Sequence, residues 1–201
     1  MSYYGNYKWL IQKDLVSEMK NIQDLPTLKK VVIHMSLKEG KTGMTPVKKL
    51  LLAYYGLEII TGNKGQPHFS KQNLVKLNVS KGSLQGISMT LRNKEMEAFL
   101  TNFMINVSPL ITKNKELQSK KYKAIPFTYT ITLRNILELP MIISNGSVAK
   151  VFVPNKGYTL DENYLMPIDL NFVFSTGPNK KEYNAASRMI LESILFNLLN
   201  N

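Results

Sequence analysis

GISMTLRNKEMEAFLTNFMINVSP, residues 86–109, changes its periodicity once, and that change points to the fold. In its first part Ile87, Met89 and Leu91 alternate with Ser88 and Thr90, the two-residue repeat of a strand with one buried face. From Asn93 the repeat lengthens. Met96, Phe99, Leu100, Phe103, Met104 and Val107 fall at i, i+3, i+4, i+7, i+8 and i+11, one apolar stripe along a helix. Asn93 caps that helix and Pro109 stops it. The stripe reads as ordinary core, so this stretch is a strand feeding a helix that packs back onto a sheet.

The neighbouring segments extend the pattern. Downstream, FTYTITL (127–133) sets Thr128, Thr130 and Thr132 on one face and Phe127, Tyr129, Ile131 and Leu133 on the other. Residues 168–175 alternate again, and Asn179 with Glu182 resembles a capping box for a last helix marked by Met189, Ile190, Ile194 and Leu198. Between these lie a polar, lysine-rich loop at about 110–125 and an irregular insertion at about 143–167, with a short strand at 148–153. Upstream, KKVVIHMSL (29–37) alternates Val32, His34 and Ser36 against Val31, Ile33 and Met35. A loop with Gly40 and Gly43 follows; Thr45 then caps and Pro46 opens a helix that Gly56 or Gly62 ends. Residues 74–79 alternate weakly as a strand, and residues 7–22 form an amphipathic opening helix that Pro26 breaks. No internal repeat is visible. The order α-β-α-β-β-α-β-β-α gives an α+β fold, helices packed on one face of a mostly antiparallel sheet, in a single domain spanning 1–201.

Composition narrows the function. A chain of 201 residues and 22.9 kDa, 44% hydrophobic with a mean hydropathy of −0.15, is long enough for a core and too apolar for wholesale disorder. The absence of Cys excludes a disulfide scaffold, a thiolate zinc site and a cysteine nucleophile. No apolar run approaches the ~18 residues of a membrane span, so a membrane is not among the expected partners. The N-terminal twenty residues, interrupted by Asp14 and Glu18 and without Arg, read as neither a secretory signal nor a transit peptide.

Charge is the informative quantity: +12, with a pI near 9.7. Residues 61–134 carry ten Lys and two Arg against three acids, a net +9. Between Glu58 and Glu95 there is no acid, only Lys64, Lys71, Lys76, Lys81, Arg92 and Lys94. A solvated face normally mixes both signs, so this segment points to a polyanionic partner. The abundance of Lys, Asn and Ile also matches the bias of an A+T-rich gene.

Catalytic signatures fail one by one. Gly40-Lys41-Thr42 lacks the earlier glycine of a phosphate loop, since position 35 is Met, and Pro46 starts the next helix too late. His34 and His68 are too few for a catalytic zinc site, and His34, opposite Ile33 on its strand, reads as a hydrogen-bonding surface residue. There is no nucleophile elbow, and the acids are sparse and scattered. No catalytic residue, metal or cofactor is expected, and the chain reads as a non-enzyme. Residues 61–86 mix Lys with Asn, Gln and Ser and hold few rings, only His68 and Phe69. That composition suits a structured RNA read by backbone and shape better than a stacked single strand.

Four stretches then resemble, in order and spacing, the large-subunit ribosomal protein L-five family. They are LKKVVIHMSLKEG from Leu28, ITGNK from Ile60, VSKGSLQGISMTLR from Val79 to Arg92, and the strand–helix pair at 168–196. The similarity covers about residues 20–140 and 165–197. It implies an L-five-like fold and a structural constituent of the large ribosomal subunit. Such a protein binds 5S rRNA in the central protuberance and approaches the P-site tRNA, with large-subunit rRNA and neighbouring ribosomal proteins as further partners. By position its RNA contacts fall on His34, Asn63, Lys64, Lys71 and Thr90, to which the charge pattern adds Lys76, Lys81 and Arg92. The family has Asn where His34 stands, Gln at Asn63 and Gly at Ser36. Its tRNA-facing loop, rich in Gly and Arg, is here KNKELQSKKYKAI, with Lys113, Lys115, Lys120, Lys121 and Lys123. Such divergence, with the Lys/Asn bias, resembles mitochondrial members. The expected location is the mitochondrial matrix, on the mitochondrial ribosome and encoded in the organelle, with the bacterial cytoplasm as the alternative. A free RNA-binding regulator, and behind it an RNA- or nucleotide-processing enzyme, are the competing readings.

Overall fold

Four of the five described strands turn one apolar row inward. The computed structural model describes residues 26–37, 46–73, 79–106, 127–133, 167–175 and 190. The elements run β1 (Leu28–Ser36), α1 (Pro46–Thr61), β2 (Gln66–Phe69), β3 (Leu84–Leu91), α2 (Asn93–Asn106), β4 (Thr128–Leu133) and β5 (Ile168–Phe174). The strands form a five-stranded sheet in the order β2-β3-β1-β5-β4. β2 runs antiparallel to β3, with Gln66 opposite Ser88 and His68 opposite Gly86. β4 and β5 are antiparallel too: the Phe174 N–H donates to the Phe127 carbonyl at 2.9 Å, while Thr130 meets Asn171 and Thr132 meets Asp169. The α+β architecture read from the sequence is the one observed.

The alternation sorts the sheet's two faces. Val31, Ile33, Met35, Ile87, Met89, Leu91, Tyr129, Ile131, Leu133, Ile168, Leu170, Phe172 and Phe174 are buried. Their neighbours His34, Ser36, Ser88, Thr90, the three threonines of β4, Asp169 and Asn171 are half-buried or exposed. Two compact units share the elements. In the first, holding residues 90–106, 127–131 and 170–175 among others, the expected stripe of α2 is buried from Met96 to Met104. Phe103 lies 5.7 Å from Phe99 and meets Phe172 edge-on at 6.3 Å; Tyr129 and Phe174 make a second edge contact at 5.8 Å. In the second unit, holding residues 33–37, 46–73, 79–89, 132–133 and 167–169, α1 buries Leu52, Ala53, Leu57 and Ile60. Leu57 and Ile87 both border Gly65, so α1 lies on the apolar side of β3.

Three details sharpen the sequence reading. Gly62, not Gly56, ends α1: it takes φ +73° and donates to the Glu58 carbonyl at 2.8 Å, the left-handed stop that glycine adopts without strain. β4 begins at Thr128, because Phe127 has φ +63° and turns rather than extends. The hairpin partner of β3 is β2 at Gln66–Phe69, a strand the alternation did not announce. Residues 74–78 of the weak strand lie outside the described residues. So do the opening helix at 7–22, the Gly40/Gly43 loop, Thr45, Val107, the lysine-rich loop at 110–125 and the insertion as far as residue 166. Of the last helix only Ile190, helical and buried, is described.

Candidate nucleic-acid interface

The second unit assembles its polar surface from the exit of α1, the β2–β3 hairpin and the open face of the strands. At the α1 exit, the Thr61 hydroxyl donates to the Leu57 carbonyl at 2.6 Å and accepts the Asn63 N–H at 3.2 Å. One side chain thus satisfies a carbonyl of the last helical turn and sets the direction of the next residues. Asn63 is left half-buried and Lys64 exposed.

The hairpin is held by short polar bonds. The Ser70 N–H donates to the Ser83 carbonyl at 2.8 Å, and the Gly82 N–H returns to the Ser70 carbonyl at 2.9 Å. The Lys81 N–H donates to Asn73 Oδ1 at 2.5 Å, and the Ser83 hydroxyl donates to the Ser80 carbonyl at 2.7 Å. Lys71 follows Ser70 and Lys81 precedes Gly82, so these bonds bring both exposed lysines to the same end of the hairpin. Among the described residues, no carboxylate pairs with Lys64, Lys71 or Lys81. Within that set nothing neutralises them, and their charges suit an outside anion.

On the open face, His34 projects from β1 between β3 and β5. On the β5 side its Nδ1 lies 3.9 Å from Asp169 Oδ2. On the β3 side stands Gly86, where a Cβ would run into the Met35 carbonyl and lie 3.2 Å from His34 Nε2. The Thr132 hydroxyl donates to Asp169 Oδ1 at 2.6 Å. Further along, the imidazole of His68 hydrogen-bonds the Ser88 hydroxyl.

The structure therefore gathers His34, Asn63, Lys64, Lys71 and Lys81 into one unit, along separate elements of it. Thr90 and Arg92, both exposed, belong to the other unit: Thr90 follows Ser88 on the open side of β3, and the Arg92 carbonyl accepts the Met96 N–H at the start of α2. Lys76 and the lysines at 113, 115, 120, 121 and 123 lie outside the described residues. Gly86, His68, Ser88, Thr132 and Asp169 were not among the RNA contacts expected from the sequence. The alternation of β3, β4 and β5 already put Ser88, Thr132 and Asp169 on the polar side, but the neighbour each one meets depends on strand order. Among the described residues no three metal-binding side chains group together, and no helix is long and apolar enough to cross a membrane.

Lysines supply charge to phosphates, while hydroxyl, amide, imidazole and carboxylate groups supply directional bonds. Fold and surface define a basic α+β protein with a polar sheet face and cationic loops suited to a polyanion. No family model matches the chain. Among curated proteins it is 26% identical over 148 residues to the large ribosomal subunit protein uL5m of Reclinomonas americana, covering 69% of this chain and 75% of that one. To uL5 of Malacoplasma penetrans it is 27% identical over 142 residues, 70% and 74% of the two chains. To uL5c of Chlorokybus atmophyticus it is 30% identical over 125 residues, 62% and 65% of the two chains. The chain is similar over much of its length to members of the uL5 family, the large-subunit ribosomal protein L-five family that its sequence motifs resemble.

Proposed function

We propose that this protein is a structural, non-catalytic constituent of the large ribosomal subunit that binds 5S rRNA in the central protuberance. The observation that carries the reading is the set of exposed lysines, Lys64, Lys71 and Lys81, which have no carboxylate partner among the described residues, beside a polar sheet face. In this reading the lysines hold phosphates and displace counterions, while Asn63, His34 and Thr90 make directional hydrogen bonds that fix the register. Lys76 and Arg92 add to the field. The lysines at 113, 115, 120, 121 and 123 face the P-site tRNA, and large-subunit rRNA and neighbouring ribosomal proteins complete the surroundings. The whole chain acts as one RNA-binding domain on a mitochondrial ribosome, encoded in the organelle.

Two measurements test this. Purified protein should bind a 5S rRNA transcript with an affinity that falls steeply as salt rises, and a tagged chain should sediment with large subunits on a sucrose gradient. A chain that binds RNA yet stays at the top of the gradient would be a free regulator. One that leaves 5S rRNA unbound would refute the proposal outright.

A further inference from the structure

Asp169 is out of place on a surface built for a polyanion. Among the described residues it is the only carboxylate on any strand of the sheet, and it stands on the open face, 38% exposed, beside His34 at 41%. A carboxylate repels phosphates, so if this face only attracted RNA backbone, Asp169 would oppose it.

Its geometry suits a different task. The Thr132 hydroxyl donates to Oδ1 at 2.6 Å, which fixes the carboxylate on β5. Oδ2 receives no hydrogen bond from the described residues, and His34 Nδ1, at 3.9 Å, is beyond hydrogen-bond reach. Acceptor and imidazole thus stand side by side, each with bonding capacity that no described residue takes up. On the far side of the ring Gly86 contributes no side chain, so nothing from that position covers the imidazole.

We propose that Asp169 and His34 form a base-reading subsite that takes the exocyclic amino group of an unpaired nucleobase, not a phosphate. A carboxylate accepts from such an amino group, as it does from the N4 amino group of cytosine, and an imidazole offers a ring to stack on and a nitrogen for the next position of the base edge. Uracil carries no exocyclic amino group and is refused. The inference rests on the 5S rRNA reading above and adds to it a residue that recognises bases while the lysines hold the backbone.

The sign of one substitution separates the two roles. Asp169→Asn keeps the size of the side chain and removes its charge. If Asp169 acted only through its charge, the variant would bind the 5S rRNA transcript more tightly. A base contact predicts binding weaker by about tenfold or more, as when a hydrogen bond to a charged acceptor is lost, with the salt slope unchanged. A second measurement needs no variant. Transcripts are partially substituted with inosine for guanosine, purine riboside for adenosine, or cytidine lacking its N4 amino group, and selected for binding to the parent. One amino-lacking analogue should be depleted from the bound pool at a discrete position, and Asp169→Asn should abolish that depletion. Tighter binding by the variant, or analogues without effect on a parent that does bind 5S rRNA, overturns the subsite alone. A parent that fails to bind unsubstituted 5S rRNA overturns the functional reading and the subsite together.

Discussion

Replacing Lys71 and Lys81 together by Ala removes two charges from one end of the β2–β3 hairpin while leaving its frame intact. The bonds that shape that end run through the Ser70, Gly82 and Lys81 N–H groups, the Ser83 hydroxyl and Asn73 Oδ1, none of which is altered. Both lysines are exposed and neither has a carboxylate partner among the described residues, so stability should move by no more than about 0.5 kcal/mol. The RNA effect is larger and has a particular form. Each phosphate contact contributes about 0.7–0.9 to the slope of log affinity against log salt, so losing two flattens it by about 1.4–1.8. Between roughly 50 and 200 mM monovalent salt, a fourfold change, the parent should lose about seven to twelve times more of its 5S rRNA affinity than the variant. Filter binding across that range measures the difference directly. Parallel slopes, whatever the affinity at any single salt concentration, would mean that this end of the hairpin does not meet phosphate.

Other substitutions test the frame and the junctions. Phe103, 2% exposed between Phe99 and Phe172, should cost about 3–5 kcal/mol on truncation to Ala in urea unfolding; a loss below about 1 kcal/mol would show that α2 does not depend on that contact. Gly86→Ala drives a methyl group toward the Met35 carbonyl and should lower stability by about 1–3 kcal/mol, visible as a depressed melting temperature; an unchanged melt would deny the close approach of β1 and β3. Thr61→Val deletes the hydroxyl that holds the Leu57 carbonyl and the Asn63 N–H. It should weaken 5S rRNA binding by the equivalent of about 0.5–1.5 kcal/mol without changing the salt slope, and a changed slope would place a phosphate contact there instead.

The fold was legible wherever one periodicity governed a whole segment. β1, β3, β4 and β5 each bury alternate residues, and α2 buries a stripe three and four apart, so local spacing alone located them. β2 escaped because nothing in QPHF alternates by hydropathy. It is a four-residue edge strand whose side chains are mostly exposed, and Pro67, which has no N–H to donate, argues against a strand in any central position. Its place is set by pairing with β3, a partner about twenty residues away. Phe127 misled in the opposite sense: its ring continues the apolar row of β4, but its backbone has already turned.

The candidate site divides along the same line. Charge needs no partner to be seen, so the acid-free run from Lys64 to Lys94 was visible before any strand was placed. Direction does need one. Thr132 and Asp169 are 37 residues apart and become a hydrogen-bonded pair only because β5 lies beside β4, and Asp169 reaches His34 only because β1 lies on the other side of β5. Lysines on flexible stems can follow a phosphate backbone without a fixed geometry, and here they stand on the loops. Groups that must present a lone pair in one direction need a rigid mount: here His34, Thr90 and Asp169 stand on strands, and the Thr61 hydroxyl holds the Asn63 backbone. A carboxylate inside a net charge of +12 weakens attraction at long range. It is tolerable only where a short, directed bond outweighs that loss, which is the condition the Asp169 experiment measures.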